Sequence, residues 1–258
     1  MPEPTQIRLK IEQKGVLSIT LNRPEKCNAL NIRLLEELAR AVETAKLKKG
    51  LRVIIIRGEG KAFCAGLDLK EAMDHSVSHH SAELIARVLR SIYLSPLFTI
   101  AAVHGAAVAG GAGLMSACDY IVAAEGTTIA YPETRRGLVP GLVMTILRRQ
   151  VSERRIRELV LLAENVTPER ALDLGIINKI VKDEDLTKEA LSIAKLALQG
   201  SPQAIAHTKE LLDDLYPASL SQDLEHALRH HMEARRSNEG KEGVEAFLKK
   251  RVPAWAEE

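Results

Sequence analysis

Apolar and polar positions alternate in short blocks along the first half of this chain. Ile7–Ile11 and Val16–Leu21 are β-rich runs on either side of Gly15, the pattern of a hairpin. From Asn31 to Lys46, Leu35, Leu38, Val42 and Ala45 fall on one helical face, which predicts an amphipathic helix. Val53–Ile56 and Ile100–Val103 are apolar and short, as strands buried on both faces are. Between them Leu69–Leu94 reads as helix in part. Its stretch Asp74–Ser81 is polar, carries His75, His79 and His80, and reads as a solvated, mobile loop.

A glycine-rich turn, His104–Gly113, leads into the helix-like run Leu114–Cys118. Strand-like Tyr120–Ala123 and Ile129–Tyr131 follow, then the polar turn Pro132–Gly137. From Gly141 onward the pattern is mostly helical, with one further strand at Ile176–Val181. Helices are expected over Leu186–Leu198, Pro202–Leu215 and Leu220–Arg236, punctuated by Gly200, Pro202 and Pro217. The reading is an α/β core, residues 1–200, followed by a helical C-terminal region, residues 201–258, without repeats or low-complexity linkers.

Composition narrows the function. The 258 residues are 46% apolar and 27% charged, as in an ordinary soluble protein, and need form no more than one domain. A net charge of +2 gives no global field for nucleic acid or membrane, and 3% aromatics offers no base-stacking surface. The three cysteines, Cys27, Cys64 and Cys118, are odd in number and form no CxxC pair. A disulfide framework and a cysteine metal site are therefore excluded, and a reduced compartment is expected. The N-terminus lacks the basic and apolar regions of a signal peptide, and no apolar run approaches the ~20 residues of a membrane span. These features predict a cytoplasmic protein.

Two segments carry the chemistry. Phe63-Cys-Ala-Gly-Leu-Asp68 and His104-Gly-Ala-Ala-Val-Ala-Gly-Gly-Ala-Gly113 place glycine and small residues where buried apolar runs end, so backbone N–H groups can face a ligand directly. Gly110 and Gly111 stand at the expected start of a helix, where unpaired amides favour negative charge. Two such loops, converging, form an oxyanion hole.

These turns resemble those of the crotonase superfamily, the enoyl-CoA hydratases and isomerases. The matching elements are Leu21-Asn-Arg-Pro-Glu-Lys-Cys-Asn-Ala-Leu30, Ala62–Leu69, Ala102–Gly111, Cys118-Asp119, Pro132-Glu133 with Gly137-Leu-Val-Pro140, and Gly243–Arg251 ahead of Pro253 and Trp255. The resemblance implies a spiral of ββα units, a helical trimerisation region and a trimer or dimer of trimers. It also implies an acyl-CoA substrate, with coenzyme A part of that substrate and no separate cofactor or metal. It assigns the oxyanion donors to the amides of Leu67 and Gly110, and the acyl-CoA site to Ala65, Gly66, Leu67, Asp68, Gly110, Gly111 and Gly113. Lys26 and Lys70 are the expected partners of the CoA phosphates. Lys249, Lys250 and Arg251 are further candidates from the C-terminal helix.

The acid–base residues decide the reaction. Hydratases of the family generally carry two glutamates, one on the helix after the glycine turn and one in the Pro-Glu turn. Here the first position is Gly113 and the second is Glu133. Adding water is easiest with two carboxylates, whereas shifting a double bond needs one base that takes a proton and returns it. Enoyl-CoA isomerisation with Glu133 as the single base is therefore the favoured expectation. A hydratase using Glu133 alone and a catalytically silent acyl-CoA-binding protein are the alternatives. The dehalogenase and dienoyl-isomerase branches place an aspartate close to Gly141 and Leu142, and no acid lies between Gly137 and Gln150. Cys64 reads as packing, Arg135-Arg136 and Arg148-Arg149 as basic surface or subunit contacts, and His230-His231 as surface. The acyl chain is expected against the Asp74–Leu94 segment and Leu114, Leu142 and Val143.

Overall fold

Strand β2 (Val16–Leu21) is buried along its whole length, which places it inside a sheet. The computed structural model of the chain describes residues 5–73 and 76–256. In it β2 pairs antiparallel with β1 (Ile7–Gln13), the expected hairpin, and parallel with β3 (Val53–Gly58). The sheet continues in parallel through β4 (Phe98–Val103), β6 (Tyr120–Ala124) and β8 (Lys179–Val181), in the order β1-β2-β3-β4-β6-β8. The two edge strands, β1 and β8, are the more exposed ones, as edge strands are.

Successive strand side chains point to opposite faces, and both faces here are covered. Ile54, Ile56, Ala101, Val103 and Ile121 join the main core with α1 (Ile32–Leu47) and α3 (Ser78–Tyr93). Val53, Ile55, Ile100, Ala102 and Val122 face the other way, onto Leu186, Ala190, Ile193 and Ala194 of a C-terminal helix. Helix α1 starts where expected because the Asn31 side chain accepts the Leu34 N–H at 2.9 Å, a standard N-cap.

A second, shorter row of strand contacts runs beside the sheet. Leu30 bridges Leu67, Cys64 bridges Ala107, β5 (Ala106–Val108) pairs with β7 (Thr128–Ala130), and Ile129 bridges Val166. Each pass of the chain thus contributes to the large sheet and then to this row before a helix returns it, the spiral of ββα units that the resemblance implied. The glycine-rich segment differs from expectation in detail. It includes the short strand β5, whereas α4 (Gly110–Ser116) starts at Gly110, as expected, and ends at Ser116, short of Cys118.

The polar stretch after α2 (Leu69–Met73) is also shorter than expected. Asp74 and His75 lie outside the described residues, but Ser78, His79, His80 and Ser81 are the first turn of α3. Ser78 and Ser81 are buried in line with Ala82, Ile85, Leu89 and Ile92, so small hydroxyl side chains extend the apolar face at helical spacing. His79 and His80 sit on the exposed side of that turn.

Among the described residues, seven α-helices lie between Gly141 and Leu248. Helices α5 (Gly141–Leu147), α6 (Glu153–Leu162) and α7 (Pro168–Asp173) precede β8, and α8 (Leu186–Ala197) supplies the residues that cover the second sheet face. Helices α9 (Pro202–Asp214), α10 (Leu220–Arg236) and α11 (Asn238–Leu248) follow. Helix α10 packs on α3 and α5, and α11 packs on the 3-10 turn Thr134–Arg136. No described helix is long and apolar enough to cross a membrane.

Arg149 corrects its expected surface role. Its side chain is 1% exposed and donates to Asp213 at 2.5 Å and Asp223 at 2.9 Å, with the guanidinium 4.2 Å over the Tyr216 ring. It joins the end of α5 to the α9–α10 junction, while neighbouring Arg148 is exposed, as expected. Removing one partner of a buried pair costs about 3–5 kcal/mol because the other charge is left unpaired. Arg149→Ala should therefore lower the melting temperature by on the order of 10 °C, read by scanning calorimetry, whereas Arg148→Ala should shift it by less than about 2 °C.

Candidate active site

The turn at residues 23–30 is a clamp for the loop opposite it. Cys27 and Asn28 adopt left-handed backbone, with φ of 50° and 55°, and Asn28 is fully buried. The Asn28 side chain accepts the Arg23 N–H at 2.9 Å and donates to the carbonyls of Glu59 at 2.9 Å and Ala62 at 2.8 Å. Further along, the Ala65 N–H donates to Cys27, the Leu30 N–H to Gly66 at 2.7 Å, and the Asp68 N–H to Leu30. The Asp68 carboxylate pairs with Arg23 at 2.8 Å. Asp68 thus locks two chain segments together, where the resemblance put it in the acyl-CoA site.

The clamped loop then meets the start of α4. Cys64 exchanges backbone bonds with Ala106 and Val108, each at 3.0 Å. Gly66 has φ of +90°, and a Cβ there would stand 2.7 Å from the Val108 oxygen. A Cβ on Gly111 would overlap the Cys64 carbonyl outright. Both positions accept only glycine, one for its backbone angle and one for its lack of a side chain. Between them Ala109 holds φ of +51°, a strained turn for a residue with a Cβ, pinned by its N–H bond to Ala130 at 2.9 Å. The result places the amides of Leu67 and Gly110 side by side at the mouth of one cavity. Neither amide has an acceptor among the described residues.

That cavity measures about 30 Å³, room for one or two waters. Leu67, Gly110, Leu142 and Val143 line it with Ile85 of α3, and Leu69, Leu138, Val139 and Pro140 complete its apolar wall. The expected contribution of Leu114 is not observed. That side chain is buried in the main core.

Three polar side chains reach this apolar space: Glu133, Arg136 and His231. Glu133 is 7% exposed, and its Oε2 has no hydrogen-bond partner among the described residues. Burial, only partly opposed by a backbone hydrogen bond and by the Arg136 charge, pushes its carboxyl up to about 7. A carboxyl so placed exchanges a proton near neutrality. At Gly113, the other glutamate position of the family pattern, a Cβ would come within 3.0 Å of Val143 Cγ2. A side chain there would have to displace that valine.

Arg136, expected on a basic surface or in a subunit contact, and His231, expected on the surface, both reach the cavity. Arg136 stacks 4.0 Å over the Phe247 ring of α11. His231 is 6% exposed and sits in α10 in line with Leu220, Leu224, Ala227 and Arg235. That three- and four-residue spacing was the available signal. Its neighbour His230 is exposed, as expected.

The other expected site residues scatter. Gly111 and Gly113 are buried within α4, behind the lining, and Ala65 stands outside it. Lys26 and Lys70 are exposed, on the 3-10 turn Pro24–Lys26 and on α2. Lys249 pairs with Glu245, and Arg251 grips Glu242 with both nitrogens at 2.5 and 2.8 Å, so these two cations have local partners. Cys64 is fully buried, and burial pushes its thiol up to about 12, which makes it inert packing.

Comparison with known proteins agrees with this geometry. The sequence profile of the enoyl-CoA hydratase/isomerase family matches residues 11–258. A Bacillus subtilis protein named "Probable enoyl-CoA hydratase" is 36% identical over 96% of this chain and 98% of its own length. The human "Enoyl-CoA hydratase domain-containing protein 3, mitochondrial" is 31% identical over 100% of this chain and 85% of its own. Among solved structures, an enoyl-CoA hydratase from Mycobacterium avium superposes with a TM-score of 0.87 at 30% identity, over 98% of this chain and 100% of the other. By its spiral of ββα units, its two interlocked glycine turns and these matches, the chain belongs to the enoyl-CoA hydratase/isomerase family of the crotonase superfamily.

Proposed function

We propose that this protein moves the double bond of an enoyl-CoA thioester, with the Leu67 and Gly110 amides holding the thioester oxygen and Glu133 carrying the proton. The observation behind this reading is that, among the described residues, a single carboxyl lines the cavity, raised to about 7, together with two amides that have no acceptor. A proton next to a thioester carbonyl is weakly acidic, and its removal puts negative charge on the oxygen. Preorganised N–H donors stabilise that charge, and the loss of one such donor typically costs ~2.7–4 kcal/mol. Glu133 takes the proton from C2 or C4 and returns it to the other carbon, so no second carboxylate is needed. Coenzyme A arrives with the substrate, its phosphates met by Lys26 and Lys70, and the chemistry requires no further cofactor.

Hydration of a 2-enoyl-CoA by Glu133 alone is the second reading, favoured by relatives named as hydratases. The purified protein offered 3-enoyl-, 2-enoyl- and 3-hydroxyacyl-CoAs separates the two. Isomerisation of 3-enoyl-CoA should outpace hydration of 2-enoyl-CoA. Efficient hydration with no double-bond shift would reject the isomerase reading.

A trimer or dimer of trimers is part of the proposal. Helix α9 leaves Leu211 and Leu212 each 56% exposed, with Leu215 just beyond it at 73%, an apolar face suited to another subunit. Light scattering should give a mass that is a multiple of three chains, and a strict monomer at micromolar concentration would contradict it.

Glu133→Gln should lower turnover by ~10²-fold or more while ligand affinity persists. In the wild type, kcat/KM should rise with pH through about 7 and then level, because the working form of Glu133 is the carboxylate. The stability effect has the opposite sign. The folded state holds this proton more tightly than the unfolded chain does, so Glu133 lowers stability as pH rises from about 4.5 to 7. Glu133→Gln should therefore raise the melting temperature at pH 8 and leave it nearly unchanged at pH 4.5. A pH profile that is flat from 5 to 9 would show that another group handles the proton.

A further inference from the structure

Glu133 and Arg136 stand three residues apart in one turn and both line the cavity, yet they form no ion pair. The Arg136 N–H donates to the Glu133 carbonyl at 2.9 Å, a 3-10 geometry that sets the two side chains one above the other. Their charges act on each other through space only, and Glu133 Oε2 is without a partner among the described residues. A carboxylate and a guanidinium so placed are suited to a charge-assisted pair. Helix α11 holds the guanidinium elsewhere. Arg136 lies 4.0 Å over the Phe247 ring. The helix is seated on the turn by backbone contact: a Cβ on Gly243 would overlap the Arg136 carbonyl, and one on Gly137 the Glu239 carbonyl. Phe247 follows Gly243 by four residues, so it stands on that same face of α11.

The other charged groups around the turn are engaged elsewhere or exposed. Arg135 donates to the Leu162 carbonyl, and Glu242 and Glu245 of α11 pair with Arg251 and Lys249. On α6, Glu158 pairs with Arg155 and Arg170, and Glu153 with Arg157. Glu239, Lys241, Arg154 and Lys70 are exposed, and Glu71 accepts the Ile32 N–H. Glu83, Arg87 and Arg90 of α3 line a separate groove, and α5 carries no charge. On α10, Arg235 donates to the Ser78 carbonyl, and burial with the Arg235 charge pushes His231 down to about 4, so it is neutral at physiological pH. Burial keeps the Tyr131 hydroxyl protonated. Arg136 is therefore the cation that can reach the base. Resting on the Glu133 reading above, we propose that Phe247 is a positioning residue for the proton transfer: by stacking on Arg136 it keeps the guanidinium off the Glu133 carboxylate and leaves the base unpaired in the cavity. A closed ion pair would hold Glu133 ionised and occupy the oxygens that must take up and release the proton.

Infrared difference titration of the Glu133 carboxyl, each protein against its own Glu133→Gln variant, tests this without substrate. The wild type should show a midpoint at about 7. Phe247→Leu removes the ring face and should lower that midpoint by about one pH unit or more, as Arg136 closes on the carboxylate. Phe247→Tyr keeps the face and should retain the wild-type midpoint. In Arg136→Met no cation remains to be held, so adding Phe247→Leu should leave the midpoint where Arg136→Met alone puts it. The same order should appear in kcat/KM against pH for whichever enoyl-CoA the protein turns over. A ring that merely packs α11 would change the melting temperature and leave the midpoint fixed. A midpoint unchanged or raised in Phe247→Leu overturns the inference, as does an equal shift with and without Arg136. Phe247→Met gives the same reading if the leucine variant does not fold. Absence of turnover with every enoyl-CoA, with the infrared midpoints ordered as expected, rejects the acyl-CoA reading and leaves the control of the Glu133 proton by Phe247 standing.

Discussion

The close approach of two backbones, with the Gly111 Cα against the Cys64 carbonyl, is the constraint on which the active site depends. It brings the Leu67 and Gly110 amides together without any side chain between them. Everything around it serves to hold that approach. The hydrogen bonds of Asn28 anchor one loop, the Arg23–Asp68 pair ties it to the turn at residues 23–30, and the Ala109–Ala130 bond pins the strained turn at the head of α4. The strain at Ala109 persists because these fixed neighbours leave the backbone no other path.

The same burial that shapes the cavity sets its proton chemistry. Glu133 lies among apolar side chains, with the Arg136 guanidinium held near by Phe247 and too weak an influence to cancel desolvation. An exposed glutamate would remain ionised at neutral pH and would be a poor donor of the proton that the proposed reaction returns to the substrate. Val143 lies against Gly113, so a side chain at that position would have to displace it. The C-terminal helices contribute around it, α10 adding His231 to the lining and α11 holding Phe247 against Arg136.

Much of this was legible from residue types. Glycines at 66, 110 and 111 between apolar runs mark a backbone that can face a ligand, and the strands β2 to β4 follow from short runs rich in apolar and β-branched residues. What escaped did so for physical reasons. Ser78 and Ser81 extend the buried face of α3, but their hydroxyls make the segment read as a loop. His231 lies beside exposed His230 in a charged helix, so its place in the Leu220–Leu224–Ala227 stripe was masked by polarity. Arg149 was out of reach because its carboxylate partners lie 64 and 74 residues further along the chain. Pairings at that distance leave no local pattern.

Stabilisation of a thioester enolate by the two paired amides is the claim on which the rest of the chemistry stands, and acetoacetyl-CoA tests it directly. This ligand ionises to an enolate with its own ultraviolet absorption, so its ionisation can be followed on the protein as pH is varied. Hydrogen bonds to a charged group contribute about 1.5–3 kcal/mol each. Bound acetoacetyl-CoA should therefore convert to its enolate at least about one pH unit below the free ligand. Binding that leaves the conversion at the pH of the free ligand, or moves it higher, would contradict the account.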